Sequence, residues 1–297
     1  MKIGRREFML ASVAVGAVGA MARKASAMEV PDPPQKAELK LSCQESKPPF
    51  KTLPEKLDFL EQHGYVGLEL HGKDLLGRVE EIQKALQGRK TKVSAVCGGA
   101  KGCIISDEEP TRRQCVDSLK ELLSAAGALG STGVIMVPAF WKAKVLPHWE
   151  ARTVIVELLK EVSEHAVSAK SRVLLEPLNR KEAHFLRLIA DAAAICRDVA
   201  SPGVCCMGDF WHMTWEETSD MGAVISGGQY LHHMHMASRK NRKMPGEDEG
   251  DNYIEGFRGL KMIGYQDYIS LECGSKGDAK ETIPAAARLL REQWEKA

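Results

Sequence analysis

The stretch YLHHMHMASRKNRKMPG, residues 230–246, shows a pattern that recurs along the chain, a short apolar run followed by polar residues. An apolar run that contains three histidines changes abruptly into a basic cluster, which closes with a proline and a glycine. Because side chains alternate across a β-strand, His233 and His235 point to one face and His232 to the other. The stretch therefore predicts a buried strand that ends in a histidine, followed by a loop that brings guanidinium groups to the end of that strand.

Short strand-like runs of this kind alternate with longer amphipathic segments. The strand-like runs are residues 39–43, 66–70, 92–97, 133–138, 172–176, 203–209, 230–236 and 268–272. The helical patterns include residues 53–63, 75–87, 112–129, 151–169, 184–199, 251–263 and 279–295. We count eight strands and eight helices in alternation, an order that favours a parallel sheet. Eight repeats in about 260 residues predict an α/β fold, a single-domain (β/α)₈ TIM barrel.

A doubly wound open sheet is the alternative with the same alternation. Such a sheet usually carries a glycine-rich nucleotide loop after its first strand. The glycine-rich run here, CGGAKG at residues 97–102, follows the third strand and has neither the Rossmann nor the P-loop spacing. The barrel is therefore the preferred prediction.

The first residues have the pattern of a targeting segment. Residues 1–27 contain a twin arginine at Arg5 and Arg6, an apolar run over 10–20, and an Ala-Ser-Ala ending. This pattern predicts a twin-arginine export signal, with an uncleaved anchor as the alternative. Residues 28–38 then form a Pro-rich linker and 39–297 form the barrel. We expect an exported protein, periplasmic or secreted, with no stable membrane insertion after signal removal.

Charge and cysteine content narrow the function classes. The net charge is +1 and no long basic block occurs, which argues against a nucleic-acid partner. The eight cysteines lie mostly in apolar runs, where a thiol behaves as a small buried hydrophobe. Pairing of Cys97 with Cys103 is the alternative for that pair in an oxidising compartment.

Polar residues end the last four predicted strands. In a (β/α)₈ barrel the chemistry lies at the C-terminal ends of the strands. Strands five to eight end in or near one residue each: Glu176, Asp209, His235 and Glu272. Three carboxylates and one imidazole suit one divalent metal ion, Mn²⁺, Co²⁺ or Mg²⁺, better than a thiolate zinc site. We expect these side chains to converge.

Nearby histidines have different predicted roles. His212 lies three residues after Asp209, and we interpret it as a donor to the substrate. His233 shares a face with His235 but lies deeper in the strand, so we expect a satisfied interior residue. The earlier strands end in Glu69 and His71, then Cys97, and finally in an apolar segment at 138–141.

Four segments carry a family resemblance. LEPLNRKE at residues 175–182 resembles the fifth-strand motif of the D-tagatose 3-epimerase and D-psicose 3-epimerase family, within the xylose isomerase-like barrel superfamily. GDFWHM at 208–213 is similar to the sixth-strand D-x-x-H-M motif of that family. The segment from His235 through Asn241 and Arg242 to residues 245–246 resembles its H…(N/D)-R-x-x-P-G pattern, and residues 271–272 resemble its last strand.

The resemblance implies specific roles. Glu176, Asp209, His235 and Glu272 would hold the metal, and Glu176 and Glu272 would also serve as the acid/base pair. The same resemblance implies that Glu182 and His212 contact a small carbohydrate substrate near its reacting carbons, while Arg242 binds its oxygens. It also implies a homo-oligomer, a dimer or a tetramer.

Two departures from the family pattern concern the substrate. The loop after His235 is one residue longer and carries Arg239 and Lys240 where a carboxylate is more usual. Lys181 stands where the family has an aromatic residue. Additional cations would suit a larger, oxidised or anionic sugar.

These observations lead to a hypothesis with three rivals. We expect an enzyme, a metal-dependent sugar isomerase or 3-epimerase that abstracts a proton next to a carbonyl and forms an enediolate. A keto-inositol or keto-sugar dehydratase would begin with the same step. An apurinic-endonuclease-like phosphodiesterase would resemble enzymes with a three-zinc site, which needs histidines on the early strands. Strands three and four end instead in Cys97 and Pro138. A non-catalytic sugar-binding barrel remains the rival from another function class.

Overall fold

A computed structural model describes residues 36–297 of the chain. Eight parallel strands close into a barrel in sequential order, each strand pairing with the next and β8 with β1. The predicted (β/α)₈ barrel is thereby confirmed. The strands are β1 Lys40–Gln44, β2 Gly67–His71, β3 Lys92–Cys97, β4 Val134–Met136, β5 Val173–Leu175, β6 Val204–Asp209, β7 Leu231–Met236 and β8 Tyr268–Leu271.

Nine α-helices surround the barrel within the described residues. They are α1 Leu53–Gln62, α2 Val79–Leu86, α3 Glu109–Ala128, α4 His148–Ser168, α5 Ile189–Val199, α6 Phe210–Glu216, α7 Asp220–Gly227, α8 Ile254–Met262 and α9 Ala279–Lys296. Two short 3₁₀ helices, Leu75–Gly77 and Gly228–Tyr230, precede α2 and β7.

The helices differ most from the predicted patterns in two places. The pattern at 184–199 becomes a helix only from Ile189, because Phe185 and Leu186 pack into the core as a loop. None of the seven helical patterns falls between β6 and β7, where the structure has α6 and α7. The seven-residue α6 is too short to show helical periodicity, and it forms because the Asp209 side chain accepts the Trp211 backbone N–H at 2.7 Å.

The interior of the barrel has two different sides. On the side formed by β3 to β6, the inward-facing residues form a separate apolar cluster: Ala95, Ile135, Leu174, Cys205 and Met207. On the side that includes β7, β8, β1 and β2, the buried interior is polar, with Glu69, His233 and Ser270 fully buried. Gly67 belongs to this polar side, because a Cβ there would lie 2.6 Å from the Cβ of Ser42.

Some expectations fall outside the residues that the structure describes. The proposed export signal at 1–27 and most of the linker at 28–38 lie there. Among residues 36–297, no helix is both long enough and apolar enough to cross a bilayer. All eight cysteines are free thiols, including Cys97 and Cys103.

Candidate metal centre and active site

The ends of the last four strands converge on one point. Glu176, Asp209, His235 and Glu272 each offer one ligand atom, and these four atoms lie within 4.8 Å of one another. The barrel brings them together because parallel strands present their C-terminal ends at the same rim. Asp209 and His235 are in direct register on β6 and β7, while Glu176 and Glu272 follow β5 and β8. Glu272 is the most exposed of the four, with 22% of its side chain accessible.

His235 is held from below by a carboxylate that is fully buried. Its Nε2 lies 3.0 Å from Oε2 of Glu69, which also contacts His233 Nε2 at 2.8 Å. The other carboxylate oxygen of Glu69 accepts a 2.8 Å hydrogen bond from Gln44. A carboxylate on one ring nitrogen fixes the ring orientation and leaves the other nitrogen for a ligand. Glu69 therefore orients Nδ1 of His235 toward the three carboxylates.

The environment of that nitrogen fits a divalent cation. Nδ1 of His235 lies 3.1 Å from Glu272 Oε2 and 3.5 Å from Glu176 Oε1. Neither contact has hydrogen-bond geometry, so this buried nitrogen has no hydrogen-bond partner within residues 36–297. Three carboxylate oxygens and one imidazole nitrogen match the donor preference of Mn²⁺, Co²⁺ or Mg²⁺. These four residues could hold such an ion.

The carboxylates shift the pKa values within this group. Burial alone would lower the pKa of His235, but the nearby charges of Glu69 and Glu272 outweigh it and raise the pKa well above its usual value. Burial raises the pKa of Glu176 above its usual value. Burial also opposes ionisation of Glu272, yet His235 and Arg242 lower its pKa to about 2. A field that attracts a proton to His235 also attracts a cation, whose binding would displace that proton.

Arg242 reaches into the same centre from the loop after β7. Its Nη2 donates to Glu272 Oε2 at 2.5 Å and to Asp209 Oδ2 at 3.2 Å. The guanidinium also lies 4.5 Å from the centroid of the Trp211 ring. The backbone of Arg242 has φ +52°, an uncommon conformation for a side-chain-bearing residue. Its carbonyl accepts the Gly274 N–H at 3.0 Å, which anchors this turn to the end of the barrel.

Asp248 organises the loop that presents Arg242. Its carboxylate accepts hydrogen bonds from the Ser238 hydroxyl, the Asn241 backbone and side-chain amides, and Lys276. Burial opposes ionisation, but these donors lower the pKa of Asp248. The loop therefore folds around a charged centre, and Arg242 lies next to one of its anchored residues.

His212 has a defined tautomer. Its Nδ1 accepts the backbone N–H of Asn179 at 3.1 Å and lies 2.7 Å from the Asn179 side-chain nitrogen. The side-chain oxygen of Asn179 accepts the Lys181 N–H at 2.9 Å, which fixes the orientation of the amide. A nitrogen that accepts these bonds carries no hydrogen, so the hydrogen of neutral His212 is on Nε2. His212 thus offers a donor on the side where Arg242 lies, 3.5 Å away.

The site opens into a cavity of about 320 Å³. Five of the seven predicted site residues line it: Glu176, Glu182, His212, Arg242 and Glu272. Glu182 lies 3.8 Å from Arg242 Nη1 and accepts a 3.1 Å hydrogen bond from Asn179. The structure thus brings every residue of the predicted site to one mouth of the barrel.

The cations that suggested an anionic sugar lie elsewhere. Arg239 donates to Asp220 and to the Phe210 carbonyl, and its guanidinium lies over the Tyr253 ring at 4.9 Å. Lys181 places its ammonium 3.8 Å from the centroid of Trp215. Neither residue lines the cavity, and neither does Lys240. The expectation of an anionic sugar therefore has no support in the position of these side chains, because Arg239 and Lys181 contact residues of α7 and α6 and Lys240 lies outside the cavity.

Three contributors escaped the sequence reasoning. The sequence pattern predicts Glu69 only as a strand end, and it predicts no role for Asn179 or Asp248. A carboxylate in the apolar run GLELH was an available signal, because a buried charge requires partners. For Asn179 and Asp248 the partners are distant in sequence or inside one loop, so their function depends on the fold.

The family follows from comparison of the whole chain. A family model described as "Xylose isomerase-like TIM barrel" matches residues 57–293. The chain belongs to this family. A family relative, 3-dehydro-D-guloside 4-epimerase of Escherichia coli (strain K12), is 29% identical over 227 residues, which cover 73% of this chain and 86% of the relative. D-psicose 3-epimerase of Ruminiclostridium cellulolyticum is 32% identical over 117 residues, 39% of each chain.

Solved structures of similar proteins agree with the fold. The crystal structure of 3-keto-D-glucoside 4-epimerase from E. coli superposes with a TM-score of 0.77 at 25% identity, over 86% of this chain and 99% of that one. A D-psicose 3-epimerase from Clostridium cellulolyticum H10, crystallised with D-tagatose, gives a TM-score of 0.77 at 19% identity. The match covers 86% of this chain and 99% of that one, and at this identity it supports the barrel alone.

Proposed function

We propose that this chain is a metal-dependent isomerase that epimerises or isomerises a keto sugar by removing a proton next to the carbonyl. The observation that carries the proposal is the convergence of Glu176, Asp209, His235 and Glu272 within 4.8 Å, with a buried His235 nitrogen that lacks a partner. Family relatives named as sugar epimerases support the reaction class.

The reaction removes a proton from a carbon that is only weakly acidic. A divalent cation held by the four ligands would supply electrostatic stabilisation to the negative charge that develops on the substrate oxygens. Glu176 and Glu272 are the acid/base pair, one removing the proton and the other returning one. Both line the cavity, so both reach a bound substrate. Each positioned acid or base typically contributes about 10²–10⁴ in rate.

Hydrogen-bond donors around Glu176 and Glu272 orient the substrate. His212 presents its Nε2–H, and Arg242 presents its guanidinium, so two donors face one region of the cavity. Both suit the hydroxyl and carbonyl oxygens of a sugar. Glu182 accepts from a sugar hydroxyl on the same side. These contacts determine which carbon lies next to the carboxylates.

We also propose that the protein is exported from the cytoplasm. The twin-arginine-like segment at 1–27 supports export, and twin-arginine export carries folded proteins. A chain that binds its metal before export would leave the cytoplasm loaded. Its substrate would then be a sugar found outside the cytoplasm, such as a free or 3-keto sugar.

Solvent exchange tests the chemistry directly. The full chain, treated with chelator and reloaded with Mn²⁺, Co²⁺ or Mg²⁺, is incubated in D₂O with a panel of keto sugars, and products are analysed by NMR. We expect metal-dependent incorporation of deuterium at one carbon next to the carbonyl, with an epimer or isomer as product. A dehydrated product would identify a lyase instead. Incorporation by none of the sugars with any of these metals would refute the proposal.

A further inference from the structure

The cavity at the barrel mouth has two chemically different walls. One wall carries the charged and polar side chains of the site. The opposite wall is formed by the segments after β3 and β4. Six of its residues have no side-chain atom beyond Cβ: Gly98, Gly99, Ala100, Gly102, Ala139 and Ala143. The other side chains that line this wall are those of cysteine, isoleucine, methionine, valine, proline and phenylalanine, so it presents no charged or amide side chain.

The small residues fix the position of this wall. A Cβ on Gly99 would lie 2.5 Å from the carbonyl carbon of Gly72, and one on Gly102 would lie 2.4 Å from the Thr111 carbonyl oxygen. Contacts below 3.0 Å are forbidden for real Cβ atoms, so these glycines permit close packing of the loop on its neighbours. The wall is therefore packed from behind by backbone.

Several polar groups of these two segments are already bonded within the protein. The Gly98 N–H donates to the Ile135 carbonyl at 3.2 Å, and the Lys101 N–H donates to the Ser118 hydroxyl at 2.8 Å. The Cys103 thiol donates to the Pro138 carbonyl at 3.3 Å. The side chains of this wall offer a sugar hydroxyl no hydrogen-bond partner other than a thiol, and a buried hydroxyl without a partner is unfavourable. An apolar group bound at this wall would instead move from water to an apolar surface, which is favourable.

The outer end of this wall carries exposed aromatic residues. Phe140 lines the cavity and is 56% exposed, and the adjacent Trp141 is 52% exposed. The Trp141 side chain donates to the Arg180 carbonyl at 2.6 Å, which holds the segment against the loop after β5. A ligand ring that extends out of the cavity at this point would lie near the aromatic side chains of Phe140 and Trp141.

Resting on the proposed function, we infer that the substrate is a keto-glycoside with an apolar aglycone. The sugar ring lies against the wall with Arg242 and the carboxylates, and the aglycone lies against the small-residue wall, extending toward Phe140. The aglycone is aryl or alkyl, and it contributes binding rather than chemistry. A free ketose would leave the second wall in contact with water.

A pair of probes measures the aglycone contribution. The 3-keto forms of methyl and phenyl β-D-glucopyranoside share the sugar and differ only in the aglycone. Binding to the Mn²⁺-loaded full chain is measured by calorimetry, and deuterium incorporation is measured in parallel. We expect the phenyl glycoside to bind at least about tenfold more tightly than the methyl glycoside. Equal affinities, or no binding of either probe, would overturn the inference.

Two leucine variants locate the effect. Ala143→Leu narrows the small-residue wall, and we expect it to abolish the preference for phenyl over methyl. Ala285→Leu adds the same atoms on the exposed face of α9, outside the cavity, and should keep the preference. Unfolding curves check that both variants fold. A preference that survives in Ala143→Leu would overturn the inference. Failure of the proposed function is separate, because it would appear as absent deuterium incorporation whatever the affinities.

Discussion

The two sides of the barrel interior differ in what they support. The side from β3 to β6 is filled by the apolar cluster that includes Ile135, Leu174 and Met207. The other side buries Glu69 and His233 directly beneath His235. A buried carboxylate is unfavourable unless it is paired, so a carboxylate placed below the ring of His235, deep in the barrel interior, indicates a task there. We propose that this task is to orient His235 as a metal ligand, whereas the apolar side contributes stability.

The largest expected effect is on the polar side, at Glu272. Glu272→Gln removes one metal ligand and one member of the acid/base pair, while the shape of the side chain is retained. We expect turnover to fall by at least about 10²–10⁴-fold, with the fold intact. Initial rates of deuterium incorporation and a thermal unfolding curve provide the measurements. Glu295→Gln, the same change at an exposed position of α9, should be silent. Normal activity of Glu272→Gln would remove the proposed mechanism.

The second largest effect is expected at Glu69, the carboxylate beneath His235. Glu69→Gln replaces an acceptor of three hydrogen bonds by an amide, which places a donor among the donors Gln44, His233 and His235. We expect the affinity for Mn²⁺ to fall by about 10–100-fold, since partners of metal ligands contribute on that scale. Calorimetric titration of the chelator-treated chain measures it. Glu81→Gln, exposed on α2, serves as the control. Unchanged affinity would contradict the positioning role of Glu69.

A smaller effect is expected above the apolar side, at the loop after β5. Asn179→Asp replaces the side-chain donor to Nδ1 of His212 by a carboxylate acceptor, which favours a hydrogen on that nitrogen in competition with the backbone N–H that remains. We expect kcat/KM to fall by about tenfold, because the donor toward the cavity is lost in part. The ¹⁵N chemical shifts of His212 report the tautomer directly. Asn252→Asp is an exposed control with the same charge change. If His212 shows Nε2–H in the wild type and in Asn179→Asp alike, Asn179 does not set the tautomer.

The smallest effect should come from the apolar side itself. Met207→Leu conserves volume within the inner cluster and carries no polar group into it. We expect the free energy of unfolding to change by less than about 1.5 kcal/mol, with the Mn²⁺ affinity unchanged. Denaturant unfolding and calorimetry measure the two quantities. A loss of metal affinity comparable to that of Glu69→Gln would show that the two sides do not divide these tasks.

The sequence by itself determined the architecture and the four candidate ligands. Alternating apolar runs and amphipathic segments specify parallel strands with intervening helices, because each pattern matches only one backbone period. Eight repeats then require closure, and strand ends carrying Glu176, Asp209, His235 and Glu272 must share one rim. The family motifs in the second half added roles to these positions. Short elements such as α6 escaped because seven residues do not display a period.

Only the tertiary structure decided how the site is supported. Glu69 and His235 are 166 residues apart in sequence, and Asn179 and His212 are 33 apart, so no local pattern links them. The position of Arg239 also depends on the fold. Its charge favours substrate binding in the sequence, but its contact with Asp220 places it at the outer helices. Hydrogen bonds and ion pairs depend on distances of a few ångströms between atoms. Those distances exist only once the barrel has closed.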